Sequence, residues 1–201
     1  MGLRSPVVVL AAAVVLSLSA GIAHAQGPMP ADVVVTNARI YTARPQRDMA
    51  EALAIKDGDI AFVGSAADAK AWVGPHTQLV RLNGKLVLPG LFDSHVHPIE
   101  IIDADVCNHA LNAQQSISIR DVIDAYTISG ARFLGRDREA GSLEVGKSGD
   151  FIVLNQDILD LADAGRADDI RNTDVLETWF MGKRIYVSNV RKSTAKRGLT
   201  K

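Results

Sequence analysis

From Asp32 onward the chain alternates short apolar runs with turn residues. Asp32-Val33-Val34-Val35 and Arg39-Ile40-Tyr41-Thr42 flank Thr36-Asn37-Ala38, and Leu53-Ala54-Ile55 and Ile60-Ala61-Phe62-Val63 flank Lys56-Asp57-Gly58-Asp59. Leu79-Val80-Arg81-Leu82 and Lys85-Leu86-Val87-Leu88 surround Asn83-Gly84. Asp-Gly and Asn-Gly tolerate the positive φ angles of a tight turn between twisted strands, so the pattern predicts three successive hairpins. Between the second and third, Ser65 is placed to cap a short helix from Ala66 to Trp72, closed by Gly74-Pro75.

Past Pro89-Gly90 the periodicity changes. Ile119, Val122, Ile123 and Tyr126 recur at three- and four-residue spacing behind Ser116 and Ser118, which predicts a helix with one buried face, ended by Gly130. Strand patterns then return at Phe151–Leu154, Val175–Phe180 and Arg184–Val187, the last two joined across Met181-Gly182-Lys183. No internal repeat is present. Trp72, Trp179 and Phe180 read as core or sheet-face residues, and Gly146 and Gly149 as turn residues rather than a phosphate cradle.

The beginning of the chain follows another logic. Arg4, an apolar run from Val7 to Leu18 and Ala23-His24-Ala25 before Gln26 make the pattern of a secretory signal peptide, 1–25, and the run is shorter than the roughly 20 residues that span a bilayer. The expectation is an exported, periplasmic protein with no membrane association after cleavage. Over 201 residues, 47% are hydrophobic and 22% charged, with a formal net charge of -1, which gives no electrostatic reason to bind nucleic acid. The single cysteine, Cys107, excludes an internal disulfide, so stability must come from apolar burial or a metal. The tail from Arg191 to Lys201 carries five positive charges and reads as a solvated terminus.

Candidate chemistry concentrates in Gly90-Leu91-Phe92-Asp93-Ser94-His95-Val96-His97-Pro98. On an extended segment His95 and His97 share a face with Asp93, and neutral imidazoles bind Zn²⁺ or a similar divalent ion. An isolated His-x-His is as often a surface or structural pair. Together, "GKLVLPGLFDSHVHP", "AYTISGARFLG" and "GSLEVGKSGDFIVLN" occur in the order found in the amidohydrolase superfamily, and the chain most closely resembles amidohydrolase family 3. "VLETWFMGKRIY" is similar to the closing hairpin of that family's small sheet domain.

The resemblance implies a mainly β fold with some α. A composite small β-sandwich is built from an N-terminal half, 26–90, and a C-terminal half, 140–190, and a remnant of a TIM-type (β/α)8 barrel occupies 91–139. It also implies His95 and His97 as ligands of a divalent metal such as zinc, Asp93 as their orienter, and hydrolysis of non-peptide carbon–nitrogen bonds in a small amide-type substrate. A complete barrel needs about 250 residues, whereas about forty separate His97 from Gly141. The remaining ligands and the proton-accepting aspartate of the family therefore have no counterpart, and the expected activity is weak or absent.

Two further readings stay open. Asp103, Asp105, Cys107 and His109 alternate at spacing two, so on an extended segment Cys107 and His109 would join His95 and His97 in a tetrahedral set; otherwise this stretch is a loop. Alternatively the sheets form a non-enzymatic binding module whose exposed apolar faces are covered in a homo-oligomer or by another chain. Leu91, Phe92 and the helix face after Ser118 are expected to lack packing partners, and order is expected to fail between Ile99 and Gln115.

Overall fold

A computed structural model describes residues 29–92 and 117–188. The leader, the stretch expected to lack order, and the basic tail lie outside them. Among the described residues the protein is mainly β with few helices, and ten strands form two sheets. The strands are β1 (Val33–Thr36), β2 (Arg39–Tyr41), β3 (Met49–Ala50), β4 (Ala52–Lys56), β5 (Asp59–Gly64), β6 (Gln78–Arg81), β7 (Leu86–Pro89), β8 (Phe151–Leu154), β9 (Val175–Phe180) and β10 (Lys183–Val187). One sheet runs β5-β4-β1-β6 and the other β10-β9-β8-β7-β2-β3. The second sheet therefore joins strands from both ends of the chain, with Val87 opposite Val153 and Leu88 opposite Ile152.

Only two of the expected hairpins form. β4 and β5 pair antiparallel around Asp57 and Gly58, both at positive φ, and β9 pairs with β10 around Met181 and Gly182 in the same manner. Thr36-Asn37-Ala38 and Asn83-Gly84 do not join paired strands: β1 and β6 lie in the four-stranded sheet, β2 and β7 in the six-stranded one. β1 runs parallel to β6, and β2 parallel to β7. Across the corner the ladder continues, because Leu82 N–H donates to Thr36 O, Gly84 N–H to Asn37 O and Arg39 N–H to Lys85 O, at 2.7 to 3.1 Å. The positive φ of Asn37, Asn83 and Gly84 is used to bend one parallel ribbon from sheet to sheet. Turn chemistry fixed the local angles; the long-range parallel pairing chose the partners.

Alternation along the strands fills the space between the sheets. Val33, Val35, Leu53 and Ile55 from one sheet meet Ile40, Val87, Phe151, Val153 and Trp179 from the other in a single buried cluster. The Phe151 and Trp179 rings stack at 5.3 Å between centroids and 13° between planes. The opposite face of the four-stranded sheet buries Val34, Ala52 and Ala54 beneath the 3-10 turn Asp68–Trp72, where Trp72 meets Phe62. Ser65 Oγ accepts from Asp68 N–H at 3.1 Å, but the expected helix is a 3-10 turn whose N-cap position is Ala67.

The other face of the six-stranded sheet presents Tyr41, Leu86, Leu88, Ile152 and Leu154 to helices. The first helix starts at Ser118, whose hydroxyl accepts from Asp121 N–H, and passes through α1 (Ile119–Asp124), a π turn (Ala125–Ser129) and α2 (Gly130–Phe133). The π turn inserts a residue and shifts the phase of the apolar stripe. Ile123, Thr127, Ile128 and Ala131 are buried as a result, and Tyr126, expected in the buried face, is 41% exposed. Gly130 does not end the helix; the chain reverses at Gly135, at φ 67°. A further helix outside the expected elements, α3 (Ile158–Asp163), is capped by Asp157, whose carboxylate accepts from Leu159 and Asp160 N–H. Thus the helix face expected to lack a partner buries Ile123 and Ile128 against the sheet and α3.

Candidate functional site

β7 delivers the chain to the segment that carries the expected ligands. Pro89 lies opposite Phe151, and Gly90 N–H donates to Asp150 O at 2.9 Å. Phe92 N–H then donates to the carbonyl of Tyr126, in the π turn, at 2.7 Å. A Cβ at Gly130 would stand 2.5 Å from Phe92 O, so the absence of a side chain there is what lets the strand exit rest on the helix. Asp93, His95 and His97 follow directly; they, Cys107 and His109 lie outside the described residues. Phe92, expected to lack a partner, is held by Tyr126 and Gly130, whereas Leu91 is 58% exposed as expected.

Beside this junction an ionic network ties the helices to β2. Arg47 bridges Asp121 and Asp124, Arg120 forms a two-pronged pair with Asp163 at 2.9 Å, and Arg39 reaches Asp157 and Asp160. Tyr41, fully buried, donates its hydroxyl to Asp124 at 2.9 Å. Burial and that bond to a carboxylate push the Tyr41 phenol far above its usual range. Hydrogen bonds from Arg47 and Ser118 hold Asp121 below the usual carboxylate value, and Arg120 does the same for Asp163. Each of these acids is paired with an arginine, so the cluster acts as a clasp between the helices and the sheet. The helical spacing of Asp121 and Asp124 was visible in the sequence, but their partner Arg47 is distant along the chain.

A second cluster resembles a nucleophile and its base. Lys147 Nζ donates to Ser142 Oγ at 2.6 Å, and Ser142 is 2% exposed. The lysine is also paired with Glu144 at 2.9 Å, so its amine is held in an ion pair inside this loop. Burial raises the Glu144 carboxyl, but hydrogen bonds from Ser142 and Lys147 outweigh it and hold the group below its usual value. These contacts close the loop that follows the helix, where Leu143 N–H donates to Thr42 O and Gly146 N–H to Ile60 O. Among the described residues no group of three histidine, cysteine, aspartate or glutamate side chains could hold a metal ion, and no helix is long and apolar enough to cross a membrane. The described residues therefore do not fit a metal on their own, and no catalytic step is assigned to them.

Residues 102–186 match the model of the amidohydrolase family. Among curated proteins the chain is 48% identical to Protein LONG AFTER FAR-RED 3 of Arabidopsis thaliana over 69 residues, which is 34% of this chain and 12% of that protein. It is 36% identical to an adenine deaminase of Ruegeria pomeroyi over 77 residues, 38% of this chain and 12% of the relative. Among solved structures it is similar to an adenosine deaminase from Xanthomonas campestris with bound zinc. The identity there is 28% and the TM-score 0.28, over 32% of this chain and 15% of the other. The chain thus spans about an eighth of the length of the two curated relatives.

Proposed function

We propose, from the match of residues 102–186 to the amidohydrolase family model and the likeness to an adenine deaminase, that the protein is the sheet module of a metal-dependent hydrolase of non-peptide carbon–nitrogen bonds, with a short remnant of its barrel. In this reading the two sheets form a composite β-sandwich, and the helix around Ile123 belongs to the remnant. The observation that carries it is the junction: the strand that leads to the histidines and the helix that leads back are joined by the 2.7 Å bond from Phe92 to Tyr126. The place where a barrel would depart and the place where it would return are one place.

His95 and His97 would supply two ligands to a divalent ion such as zinc, with Asp93 orienting them, and the bound ion would polarise a carbonyl or amidine carbon and its attacking water. Deamination, named in the adenine deaminase relative, and amide hydrolysis share that chemistry. Two imidazoles leave the ion mostly hydrated and provide no base fixed beside it, so the exported chain on its own is weak or inactive.

The test is to purify residues 26–201 and measure metal content and hydrolysis of N-acyl amides, cyclic amides and adenine, beside a His95→Ala/His97→Ala variant. The expected result is a cooperatively folded protein whose turnover equals that of the variant. Turnover at ordinary enzymatic rates with one bound metal, lost in the variant, would overturn the reading of a depleted site. A chain without cooperative unfolding would overturn the reading of a self-contained module.

A further inference from the structure

Among the described residues the helical layer over the six-stranded sheet covers β2, β7 and β8 through Tyr41, Leu86, Leu88 and Ile152 and reaches β9 at Val175, while the rest of the outward side of β9 and β10 is left open. Over that open side runs a groove of about 670 Å³. Its walls include Phe92, Ile152, Thr178, Phe180, Ile185 and Tyr186, and of these Phe180, Ile185 and Tyr186 are 53%, 65% and 49% exposed. The volume lies within the range of small-molecule sites, which are mostly apolar with a few placed polar groups.

The charges in the groove have one sign. Asp150 and Asp174 line it, and none of its lining residues is a lysine, arginine or histidine. Asp150 accepts from Ser148 Oγ and from Met181 N–H through one oxygen, at 2.7 Å each, and Asp174 accepts from the Asn155 amide at 3.2 Å. Neither carboxylate forms an ion pair among the described residues. Aromatic rings beside unpaired carboxylates attract a cation twice, through the ring faces and through the charge.

We propose that this groove binds a small apolar organic cation of the arylalkylammonium class, its hydrocarbon part against Ile152, Phe180 and Ile185 and its ammonium directed to Asp150 or Asp174. The site does not depend on metal chemistry or on the hydrolase reading. Two arginines, Arg136 and Arg138, line an adjoining hollow of about 420 Å³ that shares Phe92, Ser148, Asp150 and Phe180 with the groove. Arg136 is paired with Glu139. An anionic ligand drawn to that hollow is the competing outcome.

Three probes of one shape separate these outcomes: 3-phenylpropylammonium, 3-phenylpropanol and 3-phenylpropanoate, titrated into the purified full chain by calorimetry, with Trp179 emission followed in a Trp72→Phe background. The ammonium is expected to bind about tenfold more tightly than the alcohol, and the carboxylate more weakly than either. Asp150→Asn with Asp174→Asn should bring the ammonium down to the level of the alcohol. Asp174→Asn alone, at an exposed position, should remove part of the difference should the double variant fail to fold. Phe180→Ala and Tyr186→Ala should weaken the ammonium and the alcohol together. Equal binding of the three probes, tightest binding of the carboxylate, or no ammonium binding below about 10 mM would overturn the proposal.

Discussion

Truncating Phe151 to alanine tests whether the two ends of the chain share one core. Phe151 is fully buried on β8, stacks on Trp179, and belongs to the cluster that also contains Val33, Val35, Leu53 and Ile55 of the other sheet. Removing a buried phenylalanine ring costs about 3 to 5 kcal/mol, of which about 1 kcal/mol belongs to the ring pair. With a urea dependence of about 2 kcal/mol per molar for a domain of this size, the unfolding midpoint should fall by about 2 M. The chain has two tryptophans, Trp72 packed near Phe62 against the four-stranded sheet and Trp179 in the six-stranded one. Incorporated 5-fluorotryptophan therefore gives one ¹⁹F resonance for each sheet. Both resonances should lose their native signal at the same lowered urea concentration. A Trp72 transition left at its original midpoint, while that of Trp179 falls, would refute the shared core.

Other consequences are accessible to simpler measurements. Asp121, Asp163 and Glu144 have folded values below their ordinary ones, so in this range the unfolded chain binds more protons than the folded one. Their contribution is present above about pH 4.5 and is lost as pH falls below about 4, so the urea midpoint at pH 3 should lie below that at pH 6; equal midpoints would contradict the clasp. Tyr41→Phe removes the bond to Asp124 and should cost about 1 kcal/mol. In an alkaline titration followed at 295 nm, one of the three tyrosines should resist ionisation past the usual range, and that class should vanish in the variant. Gly141 and Gly146 have nearly the same φ, 88° and 87°, but a Cβ at Gly141 would stand 2.5 Å from Ala131 Cβ, whereas nothing lies within 4 Å at Gly146. Gly146→Ala should cost about 1 kcal/mol for the backbone alone, and Gly141→Ala about 3 kcal/mol or more; equal losses of thermal stability would show that the close packing plays no part.

The strands were legible in the sequence because each is a short apolar run bounded by turn residues, and Asp57-Gly58 and Met181-Gly182 form the turns their composition implies. Strand partners were less legible. Asn83-Gly84 takes the expected angles, but a dipeptide specifies only its own geometry, and the bonds from Leu82 to Thr36 and from Arg39 to Lys85 depend on residues more than forty positions away. Gly130 departs from the expected helix end for a related reason. Its role is to admit the Phe92 backbone, and nothing in the local pattern separates a glycine that receives a neighbour from one that stops a helix. α3 had a readable signal in Asp157 ahead of Ile158 and Leu159. For the site, the motif order pointed to the family over a span that the match to residues 102–186 supports in part. The ligand residues Asp93, His95 and His97 stand just past the last described position, Phe92, of their segment.

The contact between Phe92 and Tyr126 has a consequence for how such a chain can change over evolutionary time. When exit and entry are hydrogen-bonded neighbours, the intervening excursion is a closed loop whose ends need no adjustment as it grows or shrinks. Loop-closure entropy rises by only about 0.6 kcal/mol per doubling of length, so a tenfold longer flexible insertion between two such neighbours would weaken the host by about 2 kcal/mol. A host built in this way tolerates guests of very different size, and its own folding is nearly indifferent to what has been spliced into it.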